Sequence, residues 1–141
     1  MRPNMAISNF VSRCMRGEFP VIYGDGEQTH DFTYVNDIVD ASRTLLTQDN
    51  ADGEVMNIGS TDNVDILTLA KVVRDEIDTT STSSSRMYVR PMPNTHTHAD
   101  VSKAGELIDY EPSRDIREGV SEFINWYRDN RDWYEPLVAN S

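Results

Sequence analysis

Apolar residues recur at helical spacing over much of the chain. They predict helices at residues 5–16, 37–47, 65–77, 101–108 and 116–128. The second of these would start behind an Asn36 cap, and Asp65 would cap the third. We expect the second helix to turn its apolar side inward, as an inner face of Ile38, Val39, Ala41, Ser42, Leu45 and Leu46.

Short β-branched and aromatic runs predict strands at residues 21–23, 32–35, 54–59 and 87–89. The third run is nearly continuous in apolar residues, which is typical of strands buried on both faces of a parallel sheet. Residues 79–85, TTSTSSS, predict a polar loop. Because strands alternate with helices, we expect one mixed α/β domain with a small, mostly parallel sheet and about five helices.

The charge balance argues against a protein that binds nucleic acid or anionic membranes. Asp and Glu total 24 against 13 basic residues, of which only Lys71 and Lys103 are lysines, and the formal net charge is -11. Such a field repels nucleic acid and anionic membranes. An acid-rich, lysine-poor surface is also typical of proteins from high-salt organisms, because concentrated salt screens the self-repulsion.

Three features of the sequence favour a cytoplasmic location for the protein. Cys14 is the only cysteine, so no internal disulfide can form, which suits a reducing interior. No apolar run approaches the roughly 20 residues that cross a membrane. The first residues, MRPNMAISNF, lack the apolar core of a signal peptide.

The chain lacks a complete catalytic apparatus of any familiar kind. Its seven glycines form no G-x-G-x-x-G turn for a dinucleotide. The Tyr-x-x-x-Lys pair of short-chain dehydrogenases is missing as well, because Leu67 and Ala99 stand four residues before the two lysines. We therefore assign no catalytic residue.

Three motifs follow one another along the chain. The first is GDGEQTHDFTYVNDIVDA at 24–41, and the second is VMNIGS at 55–60. The third is Arg90-Pro91, followed by HADVSKA at 98–104 and YEP at 110–112. In this order and spacing they resemble the C-terminal half of extended short-chain dehydrogenases. More narrowly, they resemble the NAD-dependent nucleotide-sugar epimerase/dehydratase family, and UDP-glucose 4-epimerases within it.

The resemblance implies a division of labour within a two-part enzyme. Residues 2–138 would be the segment that binds the UDP-sugar or a related nucleotide sugar. NAD would be bound mainly by a Rossmann half that this chain does not contain, so no cofactor is expected on this chain alone and it should be inactive by itself. The partner would be a second copy or a separate Rossmann chain.

The resemblance also implies which residues meet the nucleotide. Arg90 would pair with the diphosphate, a role that suits the donor fork of a guanidinium. The remaining positions would contact the base or the diphosphate, or lie near them: Met5, Ala6, Val21, Tyr23, His30 and Asn57. The motif differs from the family pattern at His30, where an arginine is usual, and at Pro93, where an acidic residue is frequent.

Other interpretations stay open. His30 is alternatively a solvated loop histidine, and Arg90 a surface arginine along the sheet. His96 and His98 alternate as metal ligands on a strand do, but two imidazoles are too few for a zinc site. The whole chain is alternatively an acidic interaction or regulatory module that keeps only the fold.

Separation from a Rossmann sheet has a physical consequence for residues 54–59. Without that sheet they would present an unpaired apolar edge. We therefore expect the isolated chain to self-associate, to bind a separate Rossmann chain or to be only marginally stable.

A histidine in place of the usual arginine would make the nucleotide binding that the resemblance implies sensitive to pH. An imidazole loses its charge between about pH 6 and pH 8, so a phosphate contact by His30 should weaken over that range. We expect the affinity for UDP to fall as the pH rises, measured by isothermal titration calorimetry. An affinity that stays flat would rule out this contact.

Overall fold

The computed structural model describes residues 5–77, 88–90 and 98–139. The elements, in chain order, are α1 Ala6–Met15, β1 Val21–Tyr23, β2 Thr29–Asp31, α2 Val35–Leu45, β3 Asn63–Asp65, α3 Ile66–Ile77, β4 Tyr88–Arg90, α4 Ser102–Ile108, α5 Ile116–Asp129 and α6 Arg131–Ala139. The mixed α/β class is confirmed. In place of one mostly parallel sheet, the described strands form a parallel pair, β1 with β4, and an antiparallel pair, β2 with β3.

The main core forms around α3, which packs between α1 and α5. Apolar residues recur every three or four positions along α3, and Leu69 and Val73 on that side are fully buried. Ile22 of β1 enters the same core, and α6 adds Tyr134 and Val138. This core fixes the first strand against the helices.

The start of α3 agrees with the sequence-based prediction. Asp65 accepts hydrogen bonds from the Thr68 amide and the Thr68 hydroxyl, both at 2.7 Å. Partial burial works to raise the pKa of Asp65, but the bonds from Thr68 outweigh it, and the pKa lies below its ordinary value. The ionised cap therefore stabilises α3 at neutral pH.

A second, smaller core lies where α2 meets α4. Its buried members are Ala41 of α2, Ala51, and Ala104 and Ile108 of α4. Three of the four are alanines, which bury little apolar area compared with leucine or valine. This core therefore stabilises its layer less than the main core does.

The predicted second strand and the cap that follows it are wrong. The paired residues are Thr29–Asp31, not 32–35, because the partner strand Asn63–Asp65 bonds to that stretch. Phe32 instead packs against the main core. Tyr34 occupies the N-cap of α2, and Asn36 lies inside the helix, where its amide donates to the Tyr34 hydroxyl at 3.3 Å.

The predicted inner face of α2 is wrong as well. Of its six residues, Ala41 alone is buried. Asp37 is also buried and accepts hydrogen bonds from the Ser113 hydroxyl at 2.5 Å and the Ser113 amide at 3.2 Å. The side of α2 that carries small and polar residues thus packs against the rest of the protein.

Residues 54–59 form no strand with any described part of the chain. Their side chains nevertheless alternate between the protein and solvent as in a strand, because Met56 and Ile58 pack against the second core while Val55 is 85% exposed. Among the described residues, this segment lacks only a neighbouring strand with which to pair. Residues 79–85 and Met87 lie outside the described residues, and β4 begins at Tyr88.

The C-terminal helix α6 extends the chain beyond the five predicted helices. Trp133 and Tyr134 of this helix meet Trp126 of α5 edge-to-face. Among the described helices, none is long and apolar enough to span a membrane.

The turn after β1 depends on Gly26. Its φ is +81°, and an added Cβ would come within 2.6 Å of Leu67 Cγ on α3. Gly53 has a similar φ of +76° but open space around it. We expect Gly53→Ala to cost about 1 kcal/mol from backbone strain, and Gly26→Ala about 3 kcal/mol because overlap adds to that strain. Urea denaturation followed by circular dichroism measures both, and equal losses would contradict the tight contact.

Candidate functional site

β1 presents two of the predicted nucleotide contacts on one face. Side chains alternate along a strand, so Ile22 points into the core while Val21 and Tyr23 point to the other side. Tyr23 is 47% exposed. A large aromatic ring with one accessible face can stack against a base.

Arg90 lies beside Tyr23. In the parallel register, Val21 pairs with Tyr88 and Tyr23 pairs with Arg90. The pair therefore stands at the carboxyl ends of two parallel strands, which is where α/β proteins bind ligands.

Helix α1 precedes β1 directly along the chain. Residues 16–20 alone link α1 to β1, and a hydrogen bond of 2.7 Å from Arg13 to the Phe19 carbonyl holds this link. Both elements contribute residues to the main core. Met5 precedes α1 in an extended conformation, and Ala6 begins the first turn, whose amides have no partner within the helix.

Gln28 joins the two strand pairs, a role that sequence reasoning missed. Its side-chain amide donates to the main-chain carbonyl of Tyr23 at 2.5 Å. Its main-chain carbonyl accepts from the Ile66 amide at 3.2 Å. The side chain is almost fully buried. The sequence feature that could have indicated this role is the position of Gln28 within the 24–41 motif, two residues before His30.

His30 lies on β2, opposite Val64 of β3. It is half-buried, and its ring meets Phe32 edge-on with centroids 6.1 Å apart. Gln28 thus connects the strand that carries His30 to the end of β1.

Asp31, beside His30, is the second residue that sequence reasoning missed. Its carboxylate is 9% exposed, accepts a hydrogen bond from the Ala99 amide, and lies 3.5 Å from Nδ1 of His98. One of its oxygens, Oδ1, is buried without a hydrogen bond within the described residues. Asp31 therefore anchors the segment at 98–100 to β2.

Asn57 reaches the same segment from the other side. Its side-chain amide donates to the Asp100 carbonyl at 3.3 Å. Close by in sequence, Gly59 approaches the segment so tightly that an added Cβ would lie 3.0 Å from the Ala99 Cβ. Ser102 donates to the Asp100 carboxylate, which lowers the pKa of Asp100.

The contacts thus unite part of the predicted site. Tyr23, the strand of His30, and Asn57 are connected through Gln28, Asp31 and the segment at 98–100. Tyr23 and Arg90 are joined by strand register. Met5 and Ala6 stand at the start of α1, and Pro93 lies outside the described residues.

Neither lysine suits the chemistry of a short-chain dehydrogenase. Lys71 is exposed on α3. Lys103 donates to the Glu54 carboxylate at 2.7 Å and to the Val55 carbonyl at 2.8 Å, so it holds the chain leading into 54–59.

The metal hypothesis finds no support where the structure can test it. Within the described ranges, no three His, Cys, Asp or Glu side chains are grouped to hold an ion. His96 lies outside those ranges, and His98 contacts Asp31.

The fold is that of the C-terminal part of an extended short-chain dehydrogenase, as the motifs predicted. The family model for GDP-mannose 4,6 dehydratase matches residues 2–123. The chain therefore belongs to this family of NAD-dependent nucleotide-sugar epimerases and dehydratases.

Similar proteins support this assignment. A putative UDP-glucose 4-epimerase of Methanocaldococcus jannaschii is 30% identical over 126 residues, which are 88% of this chain and 39% of that protein. UDP-glucuronic acid decarboxylase 1 of Arabidopsis thaliana is 33% identical over 122 residues, 86% of this chain and 27% of that protein.

A solved structure gives the same picture. The crystal structure of UDP-glucuronic acid 4-epimerase from Bacillus cereus, in complex with UDP-glucuronic acid and NAD, superposes with a TM-score of 0.78 at 29% identity. The likeness covers 92% of this chain and 41% of that one. The chain thus spans about two fifths of the length of such enzymes.

The anchor at Asp31 can be tested by comparison with a solvent-facing acid. Asp31→Ala leaves the Ala99 amide without its acceptor, and we expect a loss of about 1–3 kcal/mol in unfolding free energy. Asp40 is 71% exposed and pairs only loosely with Arg43, so Asp40→Ala should change stability by less than about 0.5 kcal/mol. Chemical denaturation of both variants measures the difference. Indistinguishable variants would show that Asp31 anchors nothing.

Proposed function

We propose that this chain is the nucleotide-sugar-binding part of an NAD-dependent epimerase or dehydratase and that it holds UDP or a related nucleoside diphosphate. The proposal rests on one observation above all, the pairing of Tyr23 with Arg90 at the carboxyl ends of β1 and β4. This arrangement places an aromatic residue and a guanidinium residue at one strand end. Those two chemical types match a base and a diphosphate.

The base would lie along the outer face of β1. Val21 and Tyr23 share that face, and the core beneath it is fixed by the fully buried Ile22. A rigid strand under the contact residues keeps the base in one position, so less ordering is required on binding.

The diphosphate would lie between Arg90 and the start of α1. The first-turn amides after Met5 and the positive end of the helix dipole favour an anion there. His30 would add a weaker contact in the place where the family usually has an arginine. Asp31 and Gln28 act as positioning residues, since each fixes main chain beside a proposed contact.

The chemical step belongs to the rest of the enzyme. NAD, when bound there, supplies hydride transfer at the sugar ring. The described residues of this chain contain neither the glycine-rich turn nor a suitably placed Tyr-Lys pair, so this chain would orient the substrate and would be inactive by itself. The relatives are named as epimerases and a decarboxylase, and a nucleotide sugar is common to their names.

Loss of the guanidinium tests the proposed contact. We expect Arg90→Ala to weaken UDP binding roughly tenfold to a hundredfold, which corresponds to about 1.5–3 kcal/mol for hydrogen bonds to a charged group. Arg43 is 78% exposed on α2, and Arg43→Ala removes the same charge away from the strand ends, so its affinity should stay near that of the parent chain. Calorimetric titration of UDP into the three proteins measures this.

Two results would count against the proposal. A parent chain that binds no UDP would favour the acidic interaction module instead. Equal affinities of the two variants would show that only overall charge matters.

A further inference from the structure

The segment at residues 98–100 is attached to the protein through its main chain at two points. The Ala99 amide donates to the Asp31 carboxylate, and the Asp100 carbonyl accepts from the Asn57 side chain at 3.3 Å. Asp31 adjoins a proposed nucleotide contact on β2, and Asn57 is itself a predicted contact. The position of this segment therefore affects the proposed site from two sides.

His98 adds a third attachment of a different kind. Its Nδ1 lies 3.5 Å from Oδ1 of Asp31, the oxygen that carries no hydrogen bond within the described residues. The contact is thus an approach of charged groups and not a hydrogen bond, so its strength depends on whether the imidazole carries a proton. Because the imidazole is 60% exposed, solvent protons can reach it although its partner is buried.

The titratable groups that face His98 within the described residues are acidic. Asp31 approaches it from β2, and Asp100 lies on its own segment. Hydrogen bonds from Ser102 lower the pKa of Asp100, and a positive charge on His98 adds to that effect. Residues 57–59, which pack here from the other side, do not titrate. A proton on His98 is therefore attracted by two carboxylates.

We propose that His98 is a proton-dependent positioning residue. In its charged form it pairs with Asp31 and holds residues 98–100 on β2, and in its neutral form only the two main-chain attachments remain. An imidazole loses its charge between about pH 6 and pH 8. The pairing stabilises the folded protein only while the imidazole is charged, so its contribution is present at the acidic end of this range and falls as the pH rises.

The consequence for the nucleotide rests on the proposed function. When the third attachment is lost, the Asn57 amide has a less fixed partner, and more ordering is required when a nucleotide binds. The contribution of His98 is separate from that of His30, because His30 and Asp31 are neighbours on a strand and point to opposite faces of β2.

Amide hydrogen exchange on the 141-residue chain tests the attachment without any ligand. The readout is the protection factor of the Ala99 amide, which is corrected for the intrinsic effect of pH on exchange. We expect it to be about two- to fivefold higher at about pH 5.5 than at about pH 8, the range for ion pairs with an exposed partner. The internal control is the Glu118 amide, which donates to the N-cap carboxylate of Asp115 at 2.8 Å and should be protected equally at both pH values.

Two substitutions separate the charge of His98 from its shape. In His98→Asn the side-chain amide nitrogen takes a place close to that of Nδ1 but does not titrate, so Ala99 protection should become the same at both pH values. In His98→Lys the charge persists at both pH values, and protection should stay near the acidic value of the parent chain. The matched control His30→Asn removes an imidazole from the opposite face of β2 and should leave the pH dependence at Ala99 unchanged.

Calorimetric titration of UDP tests the consequence for the nucleotide. The ratio of affinities at the two pH values is compared between the parent chain and His98→Asn, so that protonation of UDP itself cancels. We expect the substitution to lower this ratio by about twofold. A parent chain that binds no UDP would overturn the proposed function, while the exchange result would still decide whether His98 holds the segment.

Three results would overturn the role of His98. One is Ala99 protection in the parent chain that is equal at both pH values or changes in parallel with that of Glu118. Another is a pH dependence that persists in His98→Asn, since a different group would then be responsible. The third is a UDP affinity ratio that His98→Asn leaves unchanged, since the segment would then not position the nucleotide site. The first comparison uses the parent chain only, so it holds even where a substituted chain does not fold.

Discussion

Helix α3, buried between α1 and α5, holds the strands and turns of this protein in place. Leu69 and Val73 fill the centre of the main core, and β1 is fixed there through Ile22. The turn that follows β1 is held to the same helix, because the Gly26 carbonyl accepts from the Leu67 amide at 3.2 Å. One helix thus positions both the strand that carries the proposed base contacts and the turn that leads to His30.

A second level of organisation is polar and local. Gln28 and Asp31 each use a nearly buried side chain to fix main chain that lies beside a proposed contact. Such bonds contribute modestly to stability, but a lost partner leaves a desolvated group, so their geometry is held tightly. The proposed site therefore rests on a rigid apolar core, and buried polar side chains fix the main chain around it.

Helices with strong periodicity could be predicted from the sequence because their partners lie within the chain. The helices at 66–77 and 116–129 bury their apolar sides as expected, and Asp65 caps the first. The same reasoning failed for α2 and for 54–59. Periodicity shows which side of an element is apolar, but it does not show whether the covering layer belongs to the same chain.

The site follows the same division. Strand register pairs Tyr23 with Arg90, two residues that the resemblance assigned to one nucleotide, whereas Gln28 and Asp31 emerged only from side-chain contacts. Their importance depends on three-dimensional neighbours such as Ala99, which are far away in sequence. Origin in a high-salt organism stays a prediction from the acid-rich composition.

The outward apolar side of α2 also affects the fate of the chain in a cell. Chaperones and proteases act on uncovered apolar surface and on open strand edges, and this chain presents both along one layer. The chain by itself is therefore a target for removal by the cell's quality control.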